Sequence, residues 1–260
     1  MTYLHQFASS LTQILFKIIP VVFGFLFASS ALAAAPGGYL FVTFAGEETP
    51  LTEQIYFGLS RDGRTWQALN AAKPVLVSPI GEKGVRDPFI IRSPDSKKAY
   101  LIATDLSINL NPGWKRASQA GSQSIVVWES SDLVTWSEPR LVKISADDAG
   151  CTWAPEAIYD EKTGDYLVYW SSYSKSDNFA KSRIWAARTN DFVTFSKPFI
   201  YMERGYAIID TSIVRDQGRY YRFTKHQRKV TVFQETAEHL MGPWTDVTGF
   251  TLANTKGYEG

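Results

Sequence analysis

The chain has 260 residues, 45% of them hydrophobic, so it is long enough to bury a sizeable core. Its formal net charge is +1 at pH 7, so no basic field indicates nucleic acid or an anionic membrane as a partner. Cys151 is the only cysteine, which excludes an internal disulfide. These properties are those of a nearly neutral globular domain.

Residues 1–33 are typical of a secretory signal peptide. Residues 14–27 are almost wholly apolar, and Ala31-Leu32-Ala33 supplies small residues around a cleavage position. The alternative is a membrane anchor, for which the apolar run is short. We therefore expect a mature domain of residues 34–260 that is secreted or periplasmic and is not bound to a membrane after cleavage.

The mature chain is strand-like nearly throughout. Residues 39–44 and 54–59 are rich in β-branched and aromatic residues, which favour strands. Polar turns ending in an aromatic residue recur at 60–66, 130–136, 189–195 and 235–244, and we expect each aromatic to fill space between neighbouring sheets. No helical pattern of useful length follows the signal segment.

Asp87, Glu156 and Asp210 each precede an apolar run, and Glu259 opens a further copy of the pattern where the sequence ends. Recurrence at intervals of roughly 50–70 residues indicates a repeated supersecondary unit. Each unit contains an inner strand with its acid, two further strands, a polar turn and an outer strand. This is the four-stranded blade of a β-propeller, and the acids would then meet at one mouth of the central channel.

Three blades are predicted to be complete, at about 85–145, 152–203 and 208–250. Residues 39–70 resemble the second and third strands of another blade without its inner strand. A further blade would begin at Glu259, where the sequence ends. The expectation is a propeller that is incomplete at its C-terminus.

Four motifs carry a resemblance to glycoside hydrolase family 43: Arg86-Asp87-Pro88, Trp153-Ala154-Pro155-Glu156, Ile209-Asp210-Thr211 and Tyr258-Glu259-Gly260. The resemblance implies an all-β, five-bladed β-propeller, with the fourth blade and the inner strand of the fifth missing from this chain. Residues 81–88 and 151–156 look most like an arabinofuranosidase-type subgroup. One departure is Glu156, where many relatives have Asp.

The resemblance also implies catalytic roles. Asp87 maps to the general base that activates water, and Glu259 maps to the general acid that protonates the leaving oxygen. Asp210 maps to a third acid whose negative charge raises the pKa of the general acid. Each acid also has an alternative without a catalytic role. Asp87 could cap a turn, Asp210 could form an ion pair with Arg215 or Arg86, and Glu259 could belong to a frayed chain end.

Four more residues are candidates for substrate binding. Glu156 either binds sugar hydroxyls, replaces the general acid or forms a salt bridge at the rim. Trp153 and Phe223 either stack on a sugar ring or belong to the core between blades. Arg86 either holds a sugar hydroxyl or fixes a carboxylate.

The predicted function is hydrolysis of α-L-arabinofuranosyl linkages of plant polysaccharides with inversion. The alternatives are a β-xylosidase of the same family and a carbohydrate-binding propeller without turnover. The expected partner is an arabinose- or xylose-containing oligosaccharide or polysaccharide. No cofactor is required by this chemistry. The resemblance allows a structural calcium ion in the channel, but the sequence shows no ligand set for calcium or for another metal.

Overall fold

A computed structural model describes residues 37–46 and 48–250 of the chain. The predicted signal peptide and Glu259 lie outside these residues, so both stay predictions. Within the described ranges, the one α-helix is far too short to cross a membrane.

The described residues form four antiparallel sheets, each made of strands that are consecutive in the sequence. The N-terminal sheet contains β1 (Tyr39–Thr43), β2 (Tyr56–Ser60) and β3 (Gln67–Ala68). Blade 1 contains β4 (Val85–Arg92), β5 (Ala99–Asp105), β6 (Ser124–Ser130) and β7 (Arg140–Lys143). Blade 2 contains β8 (Trp153–Asp160), β9 (Asp165–Ser172), β10 (Arg183–Thr189) and β11 (Phe199–Met202). Blade 3 contains β12 (Ile208–Asp216), β13 (Arg219–His226), β14 (Thr231–Ala237) and β15 (Thr245–Asp246).

The architecture is therefore an all-β propeller with four blades in the described part of the chain, and the three predicted complete blades are confirmed. A ring of five blades stays a prediction. One short helix, α1 (Trp114–Gln119), interrupts blade 1 between β5 and β6, although no helix was expected there. This helix matters because it borders the candidate site.

The core lies in layers between the sheets. Every residue of β5 is buried. Because side chains alternate along a strand, Leu101 and Ala103 face the N-terminal sheet, whereas Tyr100 and Ile102 pack against blade 2. A middle strand covered on both faces needs a continuous apolar run, and this explains the uninterrupted apolar segments of the sequence.

The recurrent polar turns are closed by their own side chains. In the turn after β6, the Ser130 hydroxyl accepts two backbone N–H bonds and Asp132 Oδ1 accepts two more. The turns at 60–66 and 189–195 are bonded in the same way. These bonds satisfy backbone donors that no strand partner reaches at the end of a hairpin.

The aromatic residue of each turn has the predicted packing role in three of four cases, one of which is Trp244 in the layer between blades 2 and 3. Trp136 contacts Phe57 of the N-terminal sheet, with ring centroids 5.9 Å apart, and Phe195 joins the layer between blades 1 and 2. Trp66 differs, because 44% of its surface is exposed and its ring lies 5.5 Å from Phe41.

All three inner strands are interrupted at the same place. A register shift occurs in each, and one residue there has positive φ: Asp87 (49°), Ala154 (46°) and Asp210 (53°). Such a bulge changes the direction in which a side chain points. The expectation that Glu156 lies at the repeat position of Asp87 is wrong, because Ala154 occupies that position and Glu156 follows two residues later.

Candidate active site

The three bulges open into one cavity of about 850 Å³. Five of the predicted site residues line it: Arg86, Asp87, Trp153, Glu156 and Asp210. They come from the inner strands β4, β8 and β12. The structure thus brings acids from three blades to one site, even though blade 2 supplies its acid from a different strand position.

Phe223, the sixth described candidate, does not line this cavity. In the strand register it corresponds to Ile102 and Tyr169, whose side chains lie in the layers between blades. Its ring contacts Phe250, with centroids 5.7 Å apart. Of the two alternatives considered from the sequence, this position favours packing between blades over sugar stacking.

Asp87 is half-buried and is held by the neighbouring strand. The hydroxyl of Thr104 in β5 donates a hydrogen bond to Asp87 Oδ2 over 3.0 Å. The same hydroxyl accepts the backbone N–H of Ala154 in blade 2 over 2.8 Å. The Asp87 carboxylate is therefore connected to the inner strand of the next blade through one buried side chain.

Asp210 forms an ion pair that the sequence analysis missed. Lys225 Nζ of β13 lies 3.5 Å from Asp210 Oδ2, and the exposed fractions of the two side chains are 12% and 17%. The backbone N–H of Asp210 donates to Ser171 Oγ of blade 2 over 3.0 Å. Lys225 lies near the end of the middle strand β13, opposite Ile209 in the register of β12, and the sequence alone gives no specific signal for this partner.

The partners expected for Asp210 have other ion pairs. Arg215 pairs with Glu161 over 2.5 Å at the far end of β12. Arg86 pairs with Glu53 over 3.2 Å. Since Lys225 lines the cavity together with Asp210, it places positive charge beside this carboxylate.

Arg86 is fixed from three sides. Its guanidinium lies 4.8 Å from the ring centroid of Phe44 and 5.1 Å from that of Trp114. Glu53, which is fully buried, also accepts bonds from the 107–109 segment. Of the two predicted roles of Arg86, the structure shows the fixing of a carboxylate, namely that of Glu53.

Glu156 is surrounded by hydroxyl groups. The Tyr169 hydroxyl accepts the backbone N–H of Ile213 over 3.1 Å and donates to Glu156 Oε2 over 2.9 Å. Burial raises the pKa of Glu156 to about 7, although the hydrogen bonds from Tyr169 and Ser212 act in the opposite direction. Among the described residues this carboxyl makes no salt bridge of the kind considered from the sequence, and it titrates near neutral pH.

Aromatic rings form a wall beside the acids. Trp153 meets Trp114 edge to face at 6.2 Å and meets Tyr173 in the same way at 6.1 Å. Trp114 belongs to α1, and the same turn of this helix is anchored by a two-point ion pair between Arg116 and Glu82, at 2.7 and 3.0 Å. Flat apolar faces next to polar groups are typical of small-molecule sites.

The described residues contain no group of three or more His, Cys, Asp or Glu arranged to hold a metal ion. The calcium ion that the resemblance allows stays an expectation, and no chemical step below depends on it.

Comparison with known proteins identifies the family. A family-43-related model, described as a probable glycosyl hydrolase domain, matches residues 35–260. An α-L-arabinofuranosidase of Bifidobacterium longum is 30% identical over 247 aligned residues, which cover 84% of this chain. The chain belongs to glycoside hydrolase family 43. It spans 23% of the length of this curated relative.

Solved structures have the same fold. A xylan β-1,4-xylosidase of Bacillus halodurans matches with a TM-score of 0.61 at 14% identity, over 85% of this chain and 41% of that one. An exo-β-1,3-galactanase of Phanerochaete chrysosporium matches with a TM-score of 0.57 at 13% identity, over 81% of this chain and 47% of that one. At these identities the likeness establishes the fold alone.

Proposed function

We propose that this protein is a glycosidase that hydrolyses α-L-arabinofuranosyl linkages of plant polysaccharides with inversion at the anomeric carbon. The main support is the meeting of Asp87 and Asp210 in one cavity beside an aromatic wall. The sugar assignment draws on the arabinofuranosidase relative. The acids supply the chemistry, and the wall supplies a surface for a neutral ring.

In the proposed reaction, Asp87 accepts a proton from a water molecule, and that water attacks the anomeric carbon. A carboxylic acid on the opposite side protonates the leaving oxygen. Glu259, which lies outside the described residues, is the proposed donor. An inverting pair needs carboxyl groups roughly 6.5–9.5 Å apart so that water fits between base and sugar.

Asp210 has a supporting role in this proposal. Its negative charge near the general acid disfavours ionisation of that acid and keeps the acid protonated at the start of the reaction. Lys225 holds the Asp210 carboxylate at the cavity wall. A carboxylate with a fixed position exerts a constant field on its neighbour, which a mobile side chain does not.

The remaining lining residues are proposed to bind the sugar. Trp153 and Trp114 offer ring faces and edges to the apolar side of a pentose. Glu156 offers a carboxyl group to sugar hydroxyls, and its proton exchange near pH 7 lets it donate or accept. Arg86 acts indirectly, because it fixes the rings of Phe44 and Trp114 through cation–π contacts.

Hydrolysis of nitrophenyl glycosides by the full-length protein tests the proposal. We expect the α-L-arabinofuranoside to be cleaved faster than the β-D-xyloside or the β-D-galactoside. Proton NMR of the first product should show the anomer of inverted configuration. Preferred release from the xyloside would favour the β-xylosidase alternative. Binding of oligosaccharides without any release would favour a carbohydrate-binding propeller.

We also propose that the four blades belong to a ring of five. The N-terminal sheet has three strands, whereas blades 1 to 3 have four each, so one position in that sheet is available for another strand. A crystal structure of the full-length protein tests this by the number of sheets around the channel. A closed ring of any other number contradicts it.

A further inference from the structure

We propose that Thr104 is a positioning residue that holds the Asp87 carboxylate in its reactive orientation. The inference rests on the proposed function, in which Asp87 is the general base. Thr104 touches no substrate in this proposal. It acts through two hydrogen bonds made by a single hydroxyl group.

The direction of both bonds follows from elementary chemistry. A backbone N–H can only donate, so the 2.8 Å contact between Ala154 N and Thr104 Oγ1 makes this oxygen an acceptor. The one hydroxyl proton is then available for Asp87 Oδ2, which lies 3.0 Å away. An ionised carboxylate can only accept, so Asp87 Oδ2 is the acceptor of the second bond. The two bonds share one hydroxyl group, and each polarises that group and strengthens the other bond.

The position of Thr104 makes this contact rigid. It lies in β5, whose residues are all buried, and its own side chain is 0% exposed. Ala154 is the bulge residue of β8, with positive φ, so its N–H points out of the regular ladder. Thr104 therefore connects the bulge of blade 2 with the Asp87 carboxylate of blade 1 and fixes the position of this carboxylate.

The same construction recurs in the next blade. Ser171 pairs with the residue before the bulge of its blade, as Thr104 does, and its hydroxyl accepts the backbone N–H of the following bulge residue, Asp210. The hydroxyl position is thus part of the joint between blades. In blade 1 this joint also contacts the candidate base, and a displacement of about 1 Å in a catalytic group costs on the order of 10²-fold in rate.

Two substitutions in the full-length protein test the inference. Thr104→Val keeps the shape and removes the hydroxyl, whereas Thr104→Ser keeps the hydroxyl. We expect Thr104→Val to lower kcat by about 10- to 100-fold with a small change in KM, because orientation is lost and binding is not. Thr104→Ser should recover most of the lost kcat.

Thr189→Val is the matched control. Thr189 is also buried, and its hydroxyl accepts N–H bonds in the turn after β10, outside the cavity lining. We expect this variant to lose thermal stability and to keep its kcat. If Thr189→Val loses as much kcat as Thr104→Val, the effect is general destabilisation and the inference is wrong.

Titration of the Asp87 carboxyl by ¹³C NMR gives a readout that does not need turnover. A hydrogen bond to the ionised form favours that form, so the titration midpoint should move to higher pH in Thr104→Val and stay in place in Thr104→Ser and Thr189→Val. These variants leave the other charged or titratable residues of the cavity lining in place. These residues are Arg86, Lys115, Glu156, Tyr173, Asp210 and Lys225.

The outcomes separate the inference from the proposed function. An unchanged midpoint and an unchanged kcat in Thr104→Val overturn the positioning role, even if the protein is an arabinofuranosidase. A shifted midpoint in a protein that hydrolyses no glycoside overturns the proposed function while the contact of Thr104 with Asp87 stands.

Discussion

Single residues in unusual backbone conformations define the candidate site. Asp87 and Asp210 have φ values of 49° and 53°, a region that L-residues seldom adopt and that Asp tolerates better than most. Ala154 has the same conformation without a polar side chain to support it. Contacts across the blades maintain the backbone at these three positions. Backbone strain that is held in this way is frequent at functional sites.

The first residue-scale prediction concerns Asp87→Asn. The amide keeps the shape of the side chain but cannot accept a proton from water, so kcat should fall by about 10²-fold or more. Turnover of the α-L-arabinofuranoside by the full-length protein measures the effect. Asp95→Asn, at an exposed turn, is the control and should retain activity. Near-normal turnover of Asp87→Asn would assign the base to another residue.

The second residue-scale prediction concerns Glu156 and pH. Its pKa is about 7 in the folded protein and 4.5 in the reference state, so the folded chain binds more protons between these values. The contribution of Glu156 to the free energy of unfolding therefore decreases as pH rises from about 4.5 to 7. Partial exposure in the cavity limits the effect to about 2 kcal/mol.

Glu156→Gln removes this titration. We expect the variant to lose less stability than the parent between pH 5 and pH 8, as measured by urea unfolding. Glu138→Gln, at an exposed position, should follow the parent curve. Parallel curves for Glu156→Gln and the parent would show that Glu156 is ionised in both states over this range.

At the scale of elements, each blade is stabilised by what its middle strand buries on both faces. β9 illustrates this arrangement. Val168 and Trp170 pack towards blade 1, whereas Leu167 and Tyr169 pack towards blade 3. Loss of one large side chain therefore weakens a contact between two blades and not only the sheet that contains it.

A pair of tryptophan substitutions tests this view. Trp170 is 1% exposed, and Trp170→Ala should lower the free energy of unfolding by about 3–5 kcal/mol. Trp114 on α1 is 49% exposed, and Trp114→Ala should cost about 1 kcal/mol, mainly the contact with Arg86. Chemical denaturation measures both free energies.

The same pair separates stability from binding. We expect Trp114→Ala to raise KM for arabinosyl oligosaccharides, because Trp114 lines the cavity. A Trp114→Ala variant with parental KM would remove this ring from the proposed sugar-binding wall.

The whole molecule is nearly neutral, with a formal net charge of +1 at pH 7. A neutral sugar approaching a nearly neutral protein gains nothing from long-range electrostatic steering. We expect kcat/KM for a neutral arabinofuranoside to change less than about twofold between low and high salt, since screening has little to act on. Steady-state rates over a sodium chloride series measure this. A steep fall of kcat/KM with salt would indicate charge-guided binding of an acidic substrate.

The order of blades could be predicted from the sequence because each blade is a local hairpin series. Apolar runs such as 99–105 and turns such as 130–136 encode strands and their connections within a few residues of one another. The acids Asp87 and Asp210 could be placed at one mouth for the same reason, since equivalent strand positions in a repeat lie at equivalent places around the axis.

The contacts between blades were decided only by the tertiary structure. Thr104 with Ala154, Ser171 with Asp210 and Trp114 with Trp153 join residues of different blades that only packing brings together. Glu156 lies two residues beyond the bulge position that Asp87 occupies in blade 1, and this offset depends on strand register, which the sequence alone does not display. Local periodicity therefore determined which elements form, whereas the site geometry came from side chains that meet across blades.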